Sequence, residues 1–105
     1  MTELRQHVRY QVEFPAIIAG DCGGMGIVYN LGMGGCKIVS DLEVKTGALL
    51  TIHLKVSDQS SAIVIQAARV QWTIKLEFGI EFHEIQEQER ARLEQFLATQ
   101  VSIAA

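Results

Sequence analysis

Two arginines near the start of the chain are suited to binding an anion. Arg5 and Arg9 are four residues apart, so their side chains share one face of a strand, about 13 Å apart, or are neighbours on a helical turn. In either geometry both can reach one ligand. A guanidinium binds phosphate and the O6 and N7 atoms of guanine bidentately, and it stacks on bases. The alternative interpretation is a pair of solvated arginines on a mobile terminus.

Glycines are concentrated in one part of the sequence. Seven of the nine glycines lie between Gly20 and Gly35. Such density allows tight turns or lets backbone N–H groups approach an anion. Neither a GxGxxG nor a Walker A spacing is present, so the spacing by itself favours hairpin turns. The short apolar stretches 25–29 and 36–39 flank this segment and predict a hairpin whose loop covers 30–35.

The side chains that could carry catalysis do not occur in a catalytic spacing. The candidate nucleophiles and bases are Cys22 and Cys36 with His7, His53 and His83. The two cysteines lack a CxxC spacing, and buried thiols are the favoured interpretation. Thiol or zinc chemistry through both cysteines is the alternative. We therefore expect no enzymatic activity, no metal and no cofactor.

Alternating apolar residues predict the strands that position these groups. Period-two alternation with a half-buried pattern covers 8–18, 50–56 and 76–82. Pro15 lacks a backbone donor and predicts an edge or a bulge. In the segment 63–72 the apolar parity switches near Ala68 and Arg69, which predicts a β-bulge.

The period changes after residue 82. Apolar residues at helical spacing, with glutamates at the beginning of the segment, predict an amphipathic helix over 84–101. We predict a mainly β fold: a six-stranded antiparallel β-barrel over 10–83 with a C-terminal α-helix and a flexible N-terminal arm over 1–9. At 105 residues, the chain is expected to form a single domain, 1–105.

Taken in order, the motifs resemble those of the PilZ domain family. The sequence carries Arg5-x-x-x-Arg9, a strand of about ten residues and then Asn30-x-Gly32-x-x-Gly35, similar to the RxxxR and [DN]xSxxG motifs of that family. Val-Gln-Trp at 70–72, Phe-Gly-Ile-Glu-Phe at 78–82 and the closing helix also match the family pattern.

The resemblance implies a receptor for cyclic di-GMP. In that family the two arginines embrace the phosphates and guanine edges of the ligand, so Arg5 and Arg9 take this role here. Asn30 would bind a guanine, and Gly35 would keep the loop tight. Gly32 replaces the serine of the second motif, and the loss of one neutral hydrogen bond weakens binding about two- to twelvefold.

Trp72 is a further candidate contact for the ligand. Its indole could stack on a base, although its shared parity with Val70 favours packing in the core.

Composition and charge limit the partners. Nine Lys and Arg against twelve Asp and Glu give a net charge of −3, which disfavours long nucleic acids. The acids cluster in 77–94, whereas 1–76 carry seven basic and six acidic residues. No run of 18 apolar residues and no signal peptide is evident, so we expect a cytoplasmic protein without membrane insertion. We expect an unidentified effector protein as partner. The alternative is a divergent PilZ-type adaptor that binds the dinucleotide weakly or not at all.

Overall fold

The computed structural model describes residues 8–20 and 23–102, and six of the strands in this part of the chain form a closed antiparallel barrel. The order around the barrel is β2-β3-β4-β7-β6-β5, and β5 pairs with β2 to close it. This confirms the predicted mainly β barrel with one C-terminal helix. The elements are β1 (Tyr10–Gln11), β2 (Phe14–Ala19), β3 (Gly24–Tyr29), β4 (Gly35–Val39), β5 (Leu49–Leu54), β6 (Ile63–Ile74), β7 (Glu77–Glu84), α1 (Glu87–Leu97) and β8 (Val101–Ser102).

The barrel interior is filled by apolar side chains from alternate positions of the strands. This arrangement follows from the two-residue period of a strand, which sends one parity inward and the other outward. Burial of these side chains is the main stabilising contribution to the fold. The largest fully buried side chains are Phe78, Ile18, Leu31, Ile38, Ile52, Leu54, Ile63, Ile65, Leu93, Val28 and Val70.

Strand β6 contains the predicted β-bulge and a second irregularity. Ile65 and Ala68 both face the interior, and the register with β5 shifts between them. Against β7 the register shifts between Ala67 and Ala68, near the same bulge, and again between Val70 and Trp72. The shift at Val70 and Trp72 is the second irregularity. It was not predicted, and it turns Trp72 away from the core side on which Val70 lies. The interpretation of Trp72 as a core residue was therefore wrong, because a bulge reverses the parity that follows it.

The predicted strand over 8–18 is divided in two. Its alternation of burial is continuous, but β1 pairs with β8 and with Leu31 outside the barrel, whereas β2 pairs with β3 and β5. Pro15 lies at one end of the ladder with β5, where its carbonyl oxygen accepts a hydrogen bond from the Lys55 amide at 3.0 Å. Because Pro15 lies at the end of this ladder, its lack of a backbone N–H removes no hydrogen bond from the interior of the ladder.

Helix α1 is shorter than the predicted 84–101. The helix begins later than predicted because Glu84 is still paired with Ala67 in the sheet. At the C-terminal side, the hydroxyl of Thr99 donates to the carbonyl of Phe96 at 2.7 Å, and residues 101–102 then pair with β1. No helix in the described part of the chain is long and apolar enough to cross a membrane.

Apolar side chains pack α1 against the barrel. Leu93 and Leu97 are buried, and the rings of Phe14 and Phe96 meet edge to face with centroids 5.6 Å apart.

Leu76 is an exception among the apolar positions of the predicted strand 76–82. It lies in the turn between β6 and β7 and is exposed, because the sheet begins only at Glu77.

Candidate ligand-binding site

Arg9 of the first sequence motif meets the second motif in space at the start of β1. Tyr10 and Leu31 exchange two backbone hydrogen bonds, of 2.8 and 3.0 Å, which fix the end of the arm against the loop after β3. Nη1 of Arg9 donates to the main-chain carbonyl of Asn30 at 2.8 Å. Arg5 lies outside the described residues. Of the predicted arginine pair, the structure therefore places Arg9 beside the second motif.

Asn30 adopts a backbone conformation that few residue types favour. Its φ of +51° lies in the left-handed region, which asparagine tolerates better than most side chains. Its carbonyl oxygen is directed to Arg9, and its side chain is exposed. The amide can therefore donate to and accept from a ligand without first leaving the core.

Gly32 lies directly beneath the arm. A Cβ atom there would be 2.7 Å from the carbonyl oxygen of Val8 and 3.2 Å from Cδ of Arg9. Glycine allows the arm to approach this closely. The serine of the family motif would force Val8 and Arg9 to another position.

Gly35 closes the loop against β7. A Cβ atom at this position would overlap the carbonyl oxygen of Ile80, so glycine is required by the packing of two backbones. The amide of Gly32 donates to the carbonyl of Gly35 at 2.9 Å, and the amide of Phe82 donates to that of Gly34 at 2.8 Å. The loop is thereby tied both to itself and to the neighbouring strand.

Trp72 lies on the outer face of the barrel that adjoins this loop. The outward residues Tyr29, Lys37, Gly79 and Trp72 are cross-strand neighbours on β3, β4, β7 and β6. The indole covers Gly79, where a Cβ atom would overlap it. Trp72 is 38% exposed, and its strand is two strand spacings, about 10 Å, from the strand of Lys37.

Lys37 and Gly79 are candidate site residues that the sequence analysis missed. Nζ of Lys37 lies 5.8 Å from the centroid of the Tyr29 ring, a cation–π distance, on the outward side of a strand that begins in the loop. A lone glycine at an outward strand position indicates close approach of another group, and this signal was present at Gly79.

A polar cluster centred on Glu81 also adjoins the loop. Glu81 is the partner of Gly35 across β4 and β7. Its Oε1 is 2.9 Å from Nε2 of His83 and accepts a hydrogen bond from Nε2 of Gln71 at 3.3 Å. Sequence analysis gave no signal for this cluster, because its members come from two strands that only the sheet brings together.

The thiol of Cys36 is turned into the barrel and does not belong to the outer surface. Burial raises its pKa to about 12, and the positive charge of Arg9 opposes this shift only partly. The thiol is therefore protonated and unreactive at neutral pH. Cys22 lies outside the described residues. Within the described residues, no three His, Cys, Asp or Glu side chains lie close enough together to hold a metal ion.

The fold and the family assignment agree. The closed antiparallel barrel with a C-terminal helix places the chain among small six-stranded barrel domains. A family model described as the PilZ domain matches residues 3–99, so the chain belongs to the PilZ domain family. Comparison with curated proteins gave no match.

A solved structure supports the same architecture. The inhibitor of motility of Bacillus subtilis (MotI/DgrA) aligns with a TM-score of 0.74 and 22% sequence identity. The alignment covers 92% of this chain and 51% of that one, so this chain spans about half the length of that protein. At this identity the similarity shows the fold.

Proposed function

We propose that this PilZ domain is a non-enzymatic receptor for cyclic di-GMP that acts in the bacterial cytoplasm as an adaptor for an effector protein. The ligand contacts Arg5, Arg9 and Asn30, with Gly32 and Gly35 shaping the loop and Trp72 stacking on a base. The output is motility, biofilm formation or a pilus-related process. No cofactor and no metal is required.

The contact between Arg9 and Asn30 is the observation that carries this proposal. It brings Arg9 of the arginine motif to Asn30 of the glycine-loop motif, 21 residues further along the sequence. Arg9 uses Nη1 for this bond, and a guanidinium has five N–H donors, so others remain for a phosphate or a guanine. Lys37 and Arg9 supply positive charge on a chain that is acidic overall.

The ligand is expected to reorganise the arm. In the free protein, the main chain of Val8 and the side chain of Arg9 cover Gly32 at close distance. A dinucleotide that reaches the loop backbone must therefore displace part of the arm, and Arg9 must turn towards it. Such a rearrangement alters the surface that an effector protein would contact.

Isothermal titration with cyclic di-GMP tests the proposal. We expect binding by the unmodified protein and a loss of affinity of about thirtyfold or more in Arg9→Ala and in Arg5→Ala, because a charge-assisted contact is removed. Arg90→Ala, on the exposed side of α1, is the matched control and should bind normally. No heat at tens of micromolar ligand, or full affinity in both arginine variants, would refute the proposal.

The second candidate function is that of an adaptor that binds the dinucleotide weakly or not at all. The observation that favours it is Gly32, which replaces the family serine and is covered by the arm. Pull-downs of the effector from a lysate, with and without added dinucleotide, separate the two functions. Equal recovery in both would support the ligand-independent adaptor.

A further inference from the structure

A carboxylate lies on the surface that we assign to a doubly anionic ligand. Glu81 points outward from β7, between Gly35 on β4 and Arg69 on β6. Its side chain is 58% exposed. Arg69 is its cross-strand partner on β6, and Nη1 of Arg69 donates to the carbonyl of Gly47 at 2.9 Å. The hydrogen bonds of Glu81 are those with Gln71 and His83.

Such a carboxylate restricts how the ligand can be oriented. A phosphate in direct contact with Glu81 would be repelled, since two like charges in contact repel each other even at an exposed surface. The part of the ligand that faces Glu81 must therefore be uncharged and rich in hydrogen-bond donors. In a guanine dinucleotide this part is the Watson–Crick edge of the base, with its N1–H and N2–H₂ groups. An ionised carboxylate accepts hydrogen bonds with both oxygens and matches this edge.

We infer that Glu81 binds the N1–H and N2–H₂ edge of one guanine and makes the site selective for guanine over adenine. This inference rests on the proposed function and names a specificity-determining residue for it. Adenine presents an acceptor, N1, in place of the N1–H donor and has no N2 amino group. A site that is built to accept two hydrogen bonds rejects a base that cannot donate them.

The placement of Glu81 separates its role from that of Asn30. Asn30 follows β3, whereas Glu81 is on β7, two strand spacings or about 10 Å away across β4. The two residues are therefore far enough apart to contact different parts of one dinucleotide. The base at Glu81 lies close to Trp72, which follows Gln71 in β6 and is partly exposed on the same outer face.

Gln71 and His83 act as positioning residues. Both form their hydrogen bonds with Oε1 of Glu81, so they hold the carboxylate in one orientation. Neither of these two bonds involves Oε2, which is open to one donor of the base. Oε1 accepts the second donor of the base in exchange for its longer bond, the one with Gln71 at 3.3 Å. Their effect on selectivity passes through Glu81, so their substitution should alter selectivity less than substitution of Glu81 itself.

Titration of matched glutamine variants with two dinucleotides tests the inference. We expect Glu81→Gln to lose affinity for cyclic di-GMP by about ten- to a hundredfold, because two hydrogen bonds to a charged acceptor are weakened. Its affinity for cyclic di-AMP should remain within about threefold, so the ratio of the two affinities falls. Glu77→Gln changes the same charge on the same strand at the far end of β7, and it should bind as the unmodified protein does.

Three other outcomes are decisive. Unchanged affinity and selectivity in Glu81→Gln would overturn the inference while leaving the proposed function intact. Tighter binding of cyclic di-GMP by Glu81→Gln would also overturn it, because that result places a phosphate beside the carboxylate. If the unmodified protein binds neither dinucleotide, the proposed function fails, and the inference fails with it. His83→Ala should lower the selectivity ratio by a smaller factor than Glu81→Gln.

Discussion

At the scale of single residues, Cys36 shows how an inward position determines chemistry. The thiol belongs to the core on the inner side of β4, whereas its neighbour Lys37 faces outward. Desolvation disfavours the thiolate, and this raises the pKa from 9.0 to about 12. A cysteine that is protonated and shielded from solvent cannot act as a nucleophile at neutral pH.

The raised pKa of Cys36 predicts a loss of stability at alkaline pH. Below pH 9 the thiol is protonated in both states, and above it the unfolded state ionises first and is favoured. Between pH 9 and 12 the free energy of unfolding should fall by about 1.4 kcal/mol per pH unit from this group. Denaturant unfolding at pH 8 and pH 10 measures this in a Cys22→Ser background.

The control is the same background with Cys36→Ala. This variant lacks the titrating group but keeps all other ionisable residues, so its loss of stability between pH 8 and 10 should be smaller by about 1.4 kcal/mol. An equal loss in both proteins would mean that the thiol is not protected from ionisation.

At the scale of elements, helix α1 covers an edge that the barrel leaves open. The first part of β6 extends beyond its pairing with β7, which begins at Ala67. Oε1 of Glu89 accepts a hydrogen bond from the Val64 amide at 2.7 Å. Arg92 donates to the carbonyls of Ser61 and Ala62 and pairs with Glu89 at 3.1 Å. Side chains of the helix thus replace a missing strand and protect the edge from other chains.

Substitution of Arg92 should therefore destabilise the protein more than its position on a helix surface suggests. We expect Arg92→Ala to lower the free energy of unfolding by about 1–3 kcal/mol, because the carbonyls of Ser61 and Ala62 lose a donor and the mostly buried carboxylate of Glu89 loses its ion-pair partner. Chemical denaturation measures the difference. Arg90 is exposed on the same helix, and Arg90→Ala should change the free energy of unfolding by less than about 0.5 kcal/mol. Comparable losses in the two variants would contradict the role of Arg92 in covering the edge of β6.

At the scale of the whole molecule, β1 connects the candidate ligand site with the C-terminal part of the chain. Tyr10 forms its backbone hydrogen bonds with Leu31, and the pairing of β1 with β8 brings Gln11 opposite Val101. The two strands lie outside the closed barrel. A ligand that moves the arm therefore acts on a segment that contacts both the loop and the residues after α1.

This arrangement predicts that the two sides of β1 can be uncoupled. After deletion of residues 101–105, hydrogen exchange at the Gln11 amide should accelerate by about fivefold or more, which corresponds to the loss of one hydrogen bond. Exchange at Tyr10, which donates to Leu31, should change little. Amide exchange followed by NMR spectroscopy measures both sites in one sample. Equal acceleration at both would show that β1 depends on β8 as a whole.

Local patterns in the sequence predicted most of the fold. Alternation of apolar residues located the barrel strands, the parity switch located the bulge between Ile65 and Ala68, and the change of period located α1. The errors occurred where backbone pairing ends or shifts. Alternation is the same on both sides of such a point, so the break between β1 and β2 and the exposed position of Leu76 left no mark in the pattern.

The candidate site was predicted less completely, because it depends on contacts between distant residues. The types and order of Arg5, Arg9 and the Asn30–Gly35 motif were sufficient to suggest the ligand chemistry and the family. Tertiary structure decided that Trp72 faces outward, since a second register shift in β6 reverses its side.

The sequence by itself determined the inward and outward parities of this barrel and the residues available for binding, since both follow from neighbours along the chain. Only the tertiary structure decided which of the outward residues lie next to one another. Pairing of β4 with β7 brought Glu81 to Gly35, and the path of the arm brought Arg9 to Asn30 and Val8 over Gly32. Cross-strand register and the direction of a terminal segment are set by packing over the whole molecule, and no local pattern encodes them.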